Sequence, residues 1–206
     1  MPAPRDALEA VTHADPYPYY RSLREAQPLF FDAGLRLWVA SSQAAVDAAL
    51  RHPGLRVRPL GEAVPKALQG GVAGQVFAQL VRMTDGDFHA VHKPGVELAA
   101  RRWQLADAAR AAEDAVQDLV PRLAVNDFLT ALPVHTMARL LGVPASEREP
   151  TCRWVAQFTQ GIASGAGAQA VARAHQAAEA LMAQGQALGL PPAQAANRIA
   201  FMQQAM

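Results

Sequence analysis

The sequence predicts a mainly α-helical fold that carries one small β-hairpin. Apolar residues recur at helical spacing through most of the second half of the chain, whereas the clearest alternating pattern is confined to residues 28–40. The chain has 206 residues, of which 51% are hydrophobic and 18% charged. That composition is typical of a globular protein and suffices for a substantial core.

Residues 28–40 form the predicted β-hairpin region. Apolar Leu29 to Phe31 lead into a turn at Asp32, Ala33 and Gly34, after which Leu35, Leu37 and Val39 alternate with other residues. The next segment, "SSQAAVDAALRHPG", predicts a helix capped by Ser41 or Ser42. Its inward-facing residues would be Val46, Ala49 and Leu50.

Residues 55–82 mix proline and glycine with apolar side chains, and the helical periodicity is broken before Val76. A long irregular segment with apolar content is typical of a binding loop, so we interpret it as a substrate-type loop. From residue 85 to 206 the chain is predicted to be helical. One helix should run from Leu105 to Leu123, and a later one should start at a Ser146 cap with Glu149 completing a capping box.

The remaining breaks in the helical region are marked by small residues and proline. Gly142 and Pro144 should end the helix that contains "NDFLTALPVHTMARLLGVP", and the "GAGA" loop at 165–168 should precede a long alanine-rich helix. A last helix begins in "GLPPAQAANRIAFMQQAM" and is still in mid-pattern at Met206. His135 is expected to be a hydrogen-bonded, partly buried residue. Trp38 and Trp154 are expected to pack against other residues rather than bind a cofactor.

Charge and composition exclude several classes of partner. The net charge is +1 and the pI is near 8.0, without the basic excess of proteins that bind nucleic acid or anionic membranes. No apolar run reaches the length of a membrane span, and the N-terminal segment has no signal-peptide core. Cys152 is the only cysteine, so an internal disulfide is impossible. We expect a cytoplasmic protein with neither a nucleic-acid nor a membrane partner.

The stretch "DGDFHAVHKPG", residues 85–95, gathers His89, His92 and Lys93 at the start of a predicted helix. Three interpretations are open: a metal site, an anion clamp and a solvated first turn. A zinc site needs three or four ligands, and no second cluster with matching spacing occurs, so no metal residue is assigned. His89 and Lys93 are four residues apart and share a helix face, which suits an anion. Pro94 should kink the helix.

Four stretches together resemble the N-terminal half of a bacterial cytochrome P-450, a haem-thiolate monooxygenase. They are "DPYPYYRSLREAQPLFFDAGLRLWVASSQAAVDAALRHPGLRV", "RMTDGDFHAVHKPGVELA", "NDFLTALPVHTMARLLGVPASERE" and "NRIAFMQQAM". They occur in the family's order and cover nearly the whole chain. The resemblance implies one partial cytochrome P-450 domain over 1–206, ending at the start of the central helix and lacking the C-terminal haem-ligand half.

The resemblance also implies roles for particular residues. His89 and Lys93 match the family's pair that holds the haem propionates. Six apolar residues match segments that shape the substrate pocket or its lid: Ala67, Leu68, Val72, Phe77, Phe158 and Ile162. A completed protein would bind haem, take electrons from a redoxin-type donor and oxidise a small apolar substrate with O₂.

The family's iron ligand has no match in this sequence. Cys152 lies in "EPTCRWV", inside a predicted helix and without the glycine-rich loop that surrounds the ligand in the family, and no Glu-x-x-Arg motif is found. The resemblance therefore implies that the 206-residue chain has no catalytic residue for this chemistry and is inactive alone. The alternative is a non-catalytic helical module that binds a partner protein or an apolar ligand. In either case an exposed half-core would favour self-association.

Overall fold

The computed structural model describes residues 2–163 and 165–206, which form two compact units, Met1–Arg56 and Val57–Met206. The predicted hairpin falls in the first unit, and the predicted helical region falls in the second. Within the described residues the fold is mainly α-helical, with one two-stranded antiparallel sheet. The predicted fold class is therefore confirmed.

The first unit contains three short helices and the hairpin. Its elements are α1 (Ala7–Thr12), α2 (Tyr17–Ala26), β1 (Leu29–Asp32), β2 (Leu37–Ala40) and α3 (Gln43–Arg51). Ser42 caps α3 as expected, because its hydroxyl accepts a hydrogen bond from the amide of Ala45 at 3.2 Å. The expectation that Val46 and Leu50 face inward is wrong, because their side chains are 38% and 82% exposed.

The hairpin pairs Leu29 with Ala40 and Asp32 with Leu37, so its turn is longer than the sequence suggested. Asp32 belongs to β1, and its Oδ1 accepts a hydrogen bond from the amide of Leu35 at 2.9 Å, which closes the loop. Arg36 completes the turn with φ of 55°, a left-handed conformation that is uncommon for a residue with a side chain. Trp38 packs edge-on against Phe31 on the hairpin surface and is largely exposed.

The segment after the first unit is more ordered than the broken periodicity indicated. A 3₁₀ turn at Lys66–Leu68 leads to the two-turn helix α4 (Val72–Ala78), and a second 3₁₀ turn follows at Val81–Met83. This part of the chain supplies buried apolar side chains: Leu68, Ala73, Val76, Phe77 and Leu80. The 55–82 region is therefore part of the core as well as a candidate pocket wall.

Six longer helices build the rest of the second unit: α5 (Gly86–Ala100), α6 (Leu105–Leu119), α7 (Val125–Leu140), α8 (Ala145–Ile162), α9 (Ala168–Ala187) and α10 (Pro192–Gln204). The structure corrects two expected boundaries. Helix α6 stops at Leu119 rather than Leu123, because Pro121 has no amide hydrogen with which to continue the helical hydrogen bonds. Ser146 does not cap α8, which starts at Ala145 directly after Pro144.

The predicted end of α7 at Gly142 is confirmed in detail. Gly142 has φ of 72°, and its amide donates to the carbonyl of Arg139 at 2.9 Å. The amide of Val143 donates to the carbonyl of Ala138 at 2.9 Å. These two bonds form a Schellman motif, which turns the chain out of α7 and into α8.

The core of the second unit is centred on the crossing of α8 and α9. A Cβ atom placed on Gly161 would lie 2.2 Å from Cβ of Ala174, so these two helices approach as closely as a glycine allows. Phe158, Val155 and Leu181 fill the crossing, and α4 and α10 pack against it. None of the described helices is both long and apolar enough to cross a membrane.

Candidate functional site

A cavity of about 380 Å³ lies between the segment around the 3₁₀ turn at Lys66–Leu68 and the C-terminal end of α8. Four of the six predicted pocket residues line it together: Ala67, Leu68, Phe77 and Ile162. They come from parts of the sequence nearly a hundred residues apart, and the packing of α4 against α9 and of α9 against α8 brings them together. Small-molecule sites are typically concave and combine apolar walls with a small number of polar groups.

The polar side of this cavity is formed by residues that the sequence did not single out. Arg58 Nη2 lies 3.0 Å from a carboxylate oxygen of Glu62, and both side chains line the cavity. The guanidinium carbon of Arg58 also lies 5.6 Å from the centre of the Phe77 ring, within cation–π range. Lys66 is a second, exposed cation in the lining. The cavity therefore combines apolar walls with a polar side, on which Arg58 is paired with Glu62 and Lys66 is exposed.

The other two predicted pocket residues lie elsewhere. Val72 borders a shallow depression between α4 and α9, and Phe158 is fully buried in the core of the second unit. Phe158 lies about one turn before Gly161 and Ile162, so it supports the cavity wall from behind. We therefore expect its removal to act on stability first.

His89 and Lys93 lie on α5, four residues apart on one face as predicted. His89 is half-buried and Lys93 is exposed. Helix α5 continues from Gly86 to Ala100 across Pro94, which leaves the carbonyl of Ala90 without its usual helical donor. The kink expected at Pro94 stays a prediction. His92 has a different role, because its ring packs against Phe88 with centroids 4.2 Å apart.

A larger open groove of about 730 Å³ runs between α5, the end of α7 and α10. Trp103 and Phe201 meet edge-to-face across it at 5.0 Å, and Arg198 donates from Nη1 to the carbonyl of Leu141 at 2.5 Å. His89 and Lys93 are not among its described lining residues. The sequence did not predict this groove. We take the smaller cavity as the site because the predicted pocket residues converge there.

Cys152 is half-buried on α8, as expected for a packing residue. Burial raises the pKa of its thiol to about 12, and the nearby charge of Glu149 adds to that effect. A thiol with such a pKa is protonated at neutral pH and is a poor nucleophile. No group of three or more metal-binding side chains occurs among residues 2–163 and 165–206.

His135 differs from what the sequence suggested. It is 7% exposed, but no described residue forms a hydrogen bond with its Nδ1, so the expectation of a hydrogen-bonded histidine is wrong. Burial is the main cause that lowers the pKa of His135, and the charge of Asp118 opposes the shift. The neutral ring is therefore favoured in the folded protein.

Replacing His135 by Leu should reduce the loss of stability on acidification. The unfolded chain binds a proton on His135 more readily than the folded chain, so the free energy of unfolding falls as pH drops through the ordinary histidine pKa of about 6.5. Urea unfolding at several pH values should show a shallower fall for H135L than for the unaltered protein. His52→Leu, at an exposed position, is the control. An unchanged pH dependence in H135L would contradict this account of the buried ring.

Comparison with solved structures identifies a similar fold. The chain is similar to the cytochrome P450 called P450BioI, solved in complex with an acyl carrier protein ligated with hexadec-9Z-enoic acid, at a TM-score of 0.70 and 17% sequence identity. The similarity covers 93% of this chain and 57% of that chain. No protein-family model and no curated protein matches the sequence. The chain thus has a partial cytochrome P450 fold, and at this identity the likeness concerns the fold alone.

Proposed function

We propose that this chain is the N-terminal portion of a cytochrome P-450 type haem monooxygenase. The observation that carries the proposal is the cavity: in a partial cytochrome P450 fold, Leu68 and Phe77 meet Ile162 around one space of about 380 Å³. These are positions at which the family resemblance expects a substrate pocket. The chain would supply one wall of the pocket for a small apolar substrate.

The haem propionates fit the pair on α5. Two carboxylates need two donors on one side, and His89 and Lys93 are one helical turn apart. Within the described parts of the chain Lys93 has no ion-pair partner, and His89 forms no side-chain hydrogen bond, so both can accept an anion. Lysine is a point charge and cannot form the bidentate contact of an arginine.

This chain offers no ligand for the iron of a haem. Cys152 is held as a thiol by burial, and its helix offers no exposed loop at which an iron could approach. Bound haem with a thiolate ligand supplies oxygen activation in this class of enzymes. The completed protein must obtain that thiolate from a further polypeptide segment. We therefore expect no oxidation by the 206-residue chain alone.

Protein partners follow from the same proposal. A completed monooxygenase would receive electrons from a redoxin-type donor. The structural neighbour was solved with an acyl carrier protein, so a carrier-bound apolar chain is one form in which a substrate could reach this cavity. Exposed Lys66 on the polar side of the cavity suits an acidic group near the entrance, whereas Arg58 is already paired with Glu62.

The groove between α5, α7 and α10 favours a second candidate, the non-catalytic binding module. Its walls are largely apolar and include the exposed side chains of Val91 and Leu98. A contiguous apolar surface in a globular protein is typical of an interface. In this reading the groove binds a partner protein, an apolar ligand or a second copy of the chain.

Haem titration of matched variants on α5 tests the proposal. The double variant His89→Gln with Lys93→Gln should bind haemin about tenfold more weakly than the unaltered chain, because two charge-assisted contacts to the propionates are lost. Binding is followed by the Soret absorbance. His92→Gln, three residues from His89 on the same helix, should bind haemin like the unaltered chain.

Equal affinity in all three proteins would contradict the propionate assignment. It would show that haemin adsorbs to exposed apolar surface, as expected for the binding-module reading. A loss in His92→Gln as large as in the double variant would have the same meaning. Only a loss specific to His89 and Lys93 supports the monooxygenase proposal.

A further inference from the structure

We propose that His175 is a positioning residue that holds the cavity-lining segment 66–78 against α9 through a hydrogen bond to the start of α4. His175 is half-buried on α9, and its Nδ1 accepts a hydrogen bond from the amide of Ala73 at 3.2 Å. The two residues are 102 positions apart in the chain. The bond therefore joins two elements that otherwise meet through apolar packing.

The position of Ala73 explains why this bond matters. Ala73 is the second residue of α4, and the amides of a first helical turn have no partner inside the helix. Gly71 is the N-cap residue and has no side chain that could accept from them. The ring of His175 takes over the role of a capping side chain from a different helix.

Gly71 makes room for the ring. A Cβ atom placed on Gly71 would lie 2.2 Å from both Cε1 and Nδ1 of His175, so the ring lies directly against the backbone there. The φ of Gly71 is −130°, which other residues adopt as well. Glycine is therefore needed at this position because the ring of His175 occupies the space that a side chain would take, and not because of an unusual backbone conformation.

One more close contact connects the residues held by His175 to the cavity. A Cβ placed on Gly74, one residue after Ala73, would lie 2.1 Å from the carbonyl oxygen of Leu68. Helix α4 is thus packed directly on the backbone of the 3₁₀ turn at Lys66–Leu68. Leu68 and Phe77 line the cavity on either side of this contact. Fixing the start of α4 fixes both of these walls.

The charge state of the ring decides whether the bond exists. Since Nδ1 accepts from a backbone N–H, the ring is neutral and carries its proton on Nε2. A proton on Nδ1 would remove the acceptor and place a cation beside the positive end of α4.

Few other charged groups surround the ring. Helix α4 contains no titratable residue, and the adjoining 3₁₀ turn contributes Lys66. On α9 the neighbours in sequence are Arg173 and Glu179. Helix α8 meets α9 near Gly161, and the last titratable residue of α8, Arg153, lies two turns before that point. Helix α10, which carries Arg198, packs against α9 near Gly185.

Hydrogen exchange of the full chain, without haem, tests the inference. In His175→Ala the protection factor of peptides covering 72–78, corrected for intrinsic exchange, should be about fivefold lower than in the unaltered protein. His175→Asn keeps an acceptor near the Nδ1 position, so it should retain protection close to that of the unaltered protein.

A pair of glycine variants separates the tether from a general effect of the histidine substitution. Gly71→Ala should lower protection of 72–78 because the new methyl displaces the ring, whereas Gly167→Ala, where a Cβ meets no atom within 4 Å, should leave it unchanged. Peptides from α6 and α7 serve as internal references for global unfolding. Unchanged protection in His175→Ala, or a loss in His175→Asn as large as that in His175→Ala, would overturn the inference. Neither result depends on haem or on the proposed activity.

Discussion

Phe158→Ala is expected to destabilise the protein by about 3–5 kcal/mol, the range for removing a large aromatic side chain from a core. Phe158 is fully buried where α8 crosses α9, so its loss would leave a cavity that the closely packed helices cannot fill by moving. Stabilities of natural domains are about 5–15 kcal/mol, and this variant should therefore be near the limit of folding. Urea unfolding followed by circular dichroism measures the change.

The same truncation at an exposed phenylalanine provides the control. Phe31 is 51% exposed on the hairpin, and Phe31→Ala should cost less than about 1 kcal/mol. If Phe158→Ala is no more destabilising than Phe31→Ala, Phe158 is not a core residue. It would then belong to the pocket surface, as the sequence suggested.

Replacing Gly161 by Ala is expected to destabilise the protein by about 1–3 kcal/mol through overpacking. The added methyl would meet Cβ of Ala174 at 2.2 Å and the carbonyl oxygen of Ala170 at 2.7 Å, and backbone atoms cannot move aside as a flexible side chain can. Because Gly161 also lines the small cavity, the shift should alter its shape. Thermal unfolding by circular dichroism reports the loss.

Gly95→Ala is the matched control, and its effect should have the opposite sign. Gly95 lies within α5, and a Cβ placed there meets no atom within 4 Å. Alanine is favoured over glycine in a helix by up to about 1 kcal/mol, so the control should be stabilised. Destabilisation of both variants to the same extent would mean that the close approach of α8 and α9 is not what requires glycine at 161.

Local signals predicted much of the fold. The cap at Ser42 and the glycine end of α7 at Gly142 depend on residues within a few positions of one another, and both are found. The end of α6 was misjudged because apolar periodicity continued to Leu123, while Pro121 has no amide hydrogen with which to extend the helix. The short helix α4 was missed since two glycines precede it and its cap comes from His175.

The candidate site was predictable in its apolar part and not in its polar part. Family resemblance pointed to Leu68, Phe77 and Ile162, which line one cavity. Arg58 and Glu62 carried no motif, and only the folded segment places both of them on this cavity. The contact of Ala73 with His175 joins residues 102 positions apart, and no periodicity or spacing rule connects such a pair. These features depend on how the chain packs in three dimensions, and the patterns within a single sequence do not reveal such contacts.

The central claim is that this chain offers a cavity wall and a propionate anchor but no thiolate for haem iron. The most direct test is the carbon monoxide difference spectrum of the reduced, haem-loaded chain. With the pKa of the Cys152 thiol raised to about 12, we predict no thiolate-type Soret band, and the spectrum of Cys152→Ser should be the same as that of the unaltered chain. A thiolate-type band from the unaltered chain that disappears in Cys152→Ser would contradict the claim.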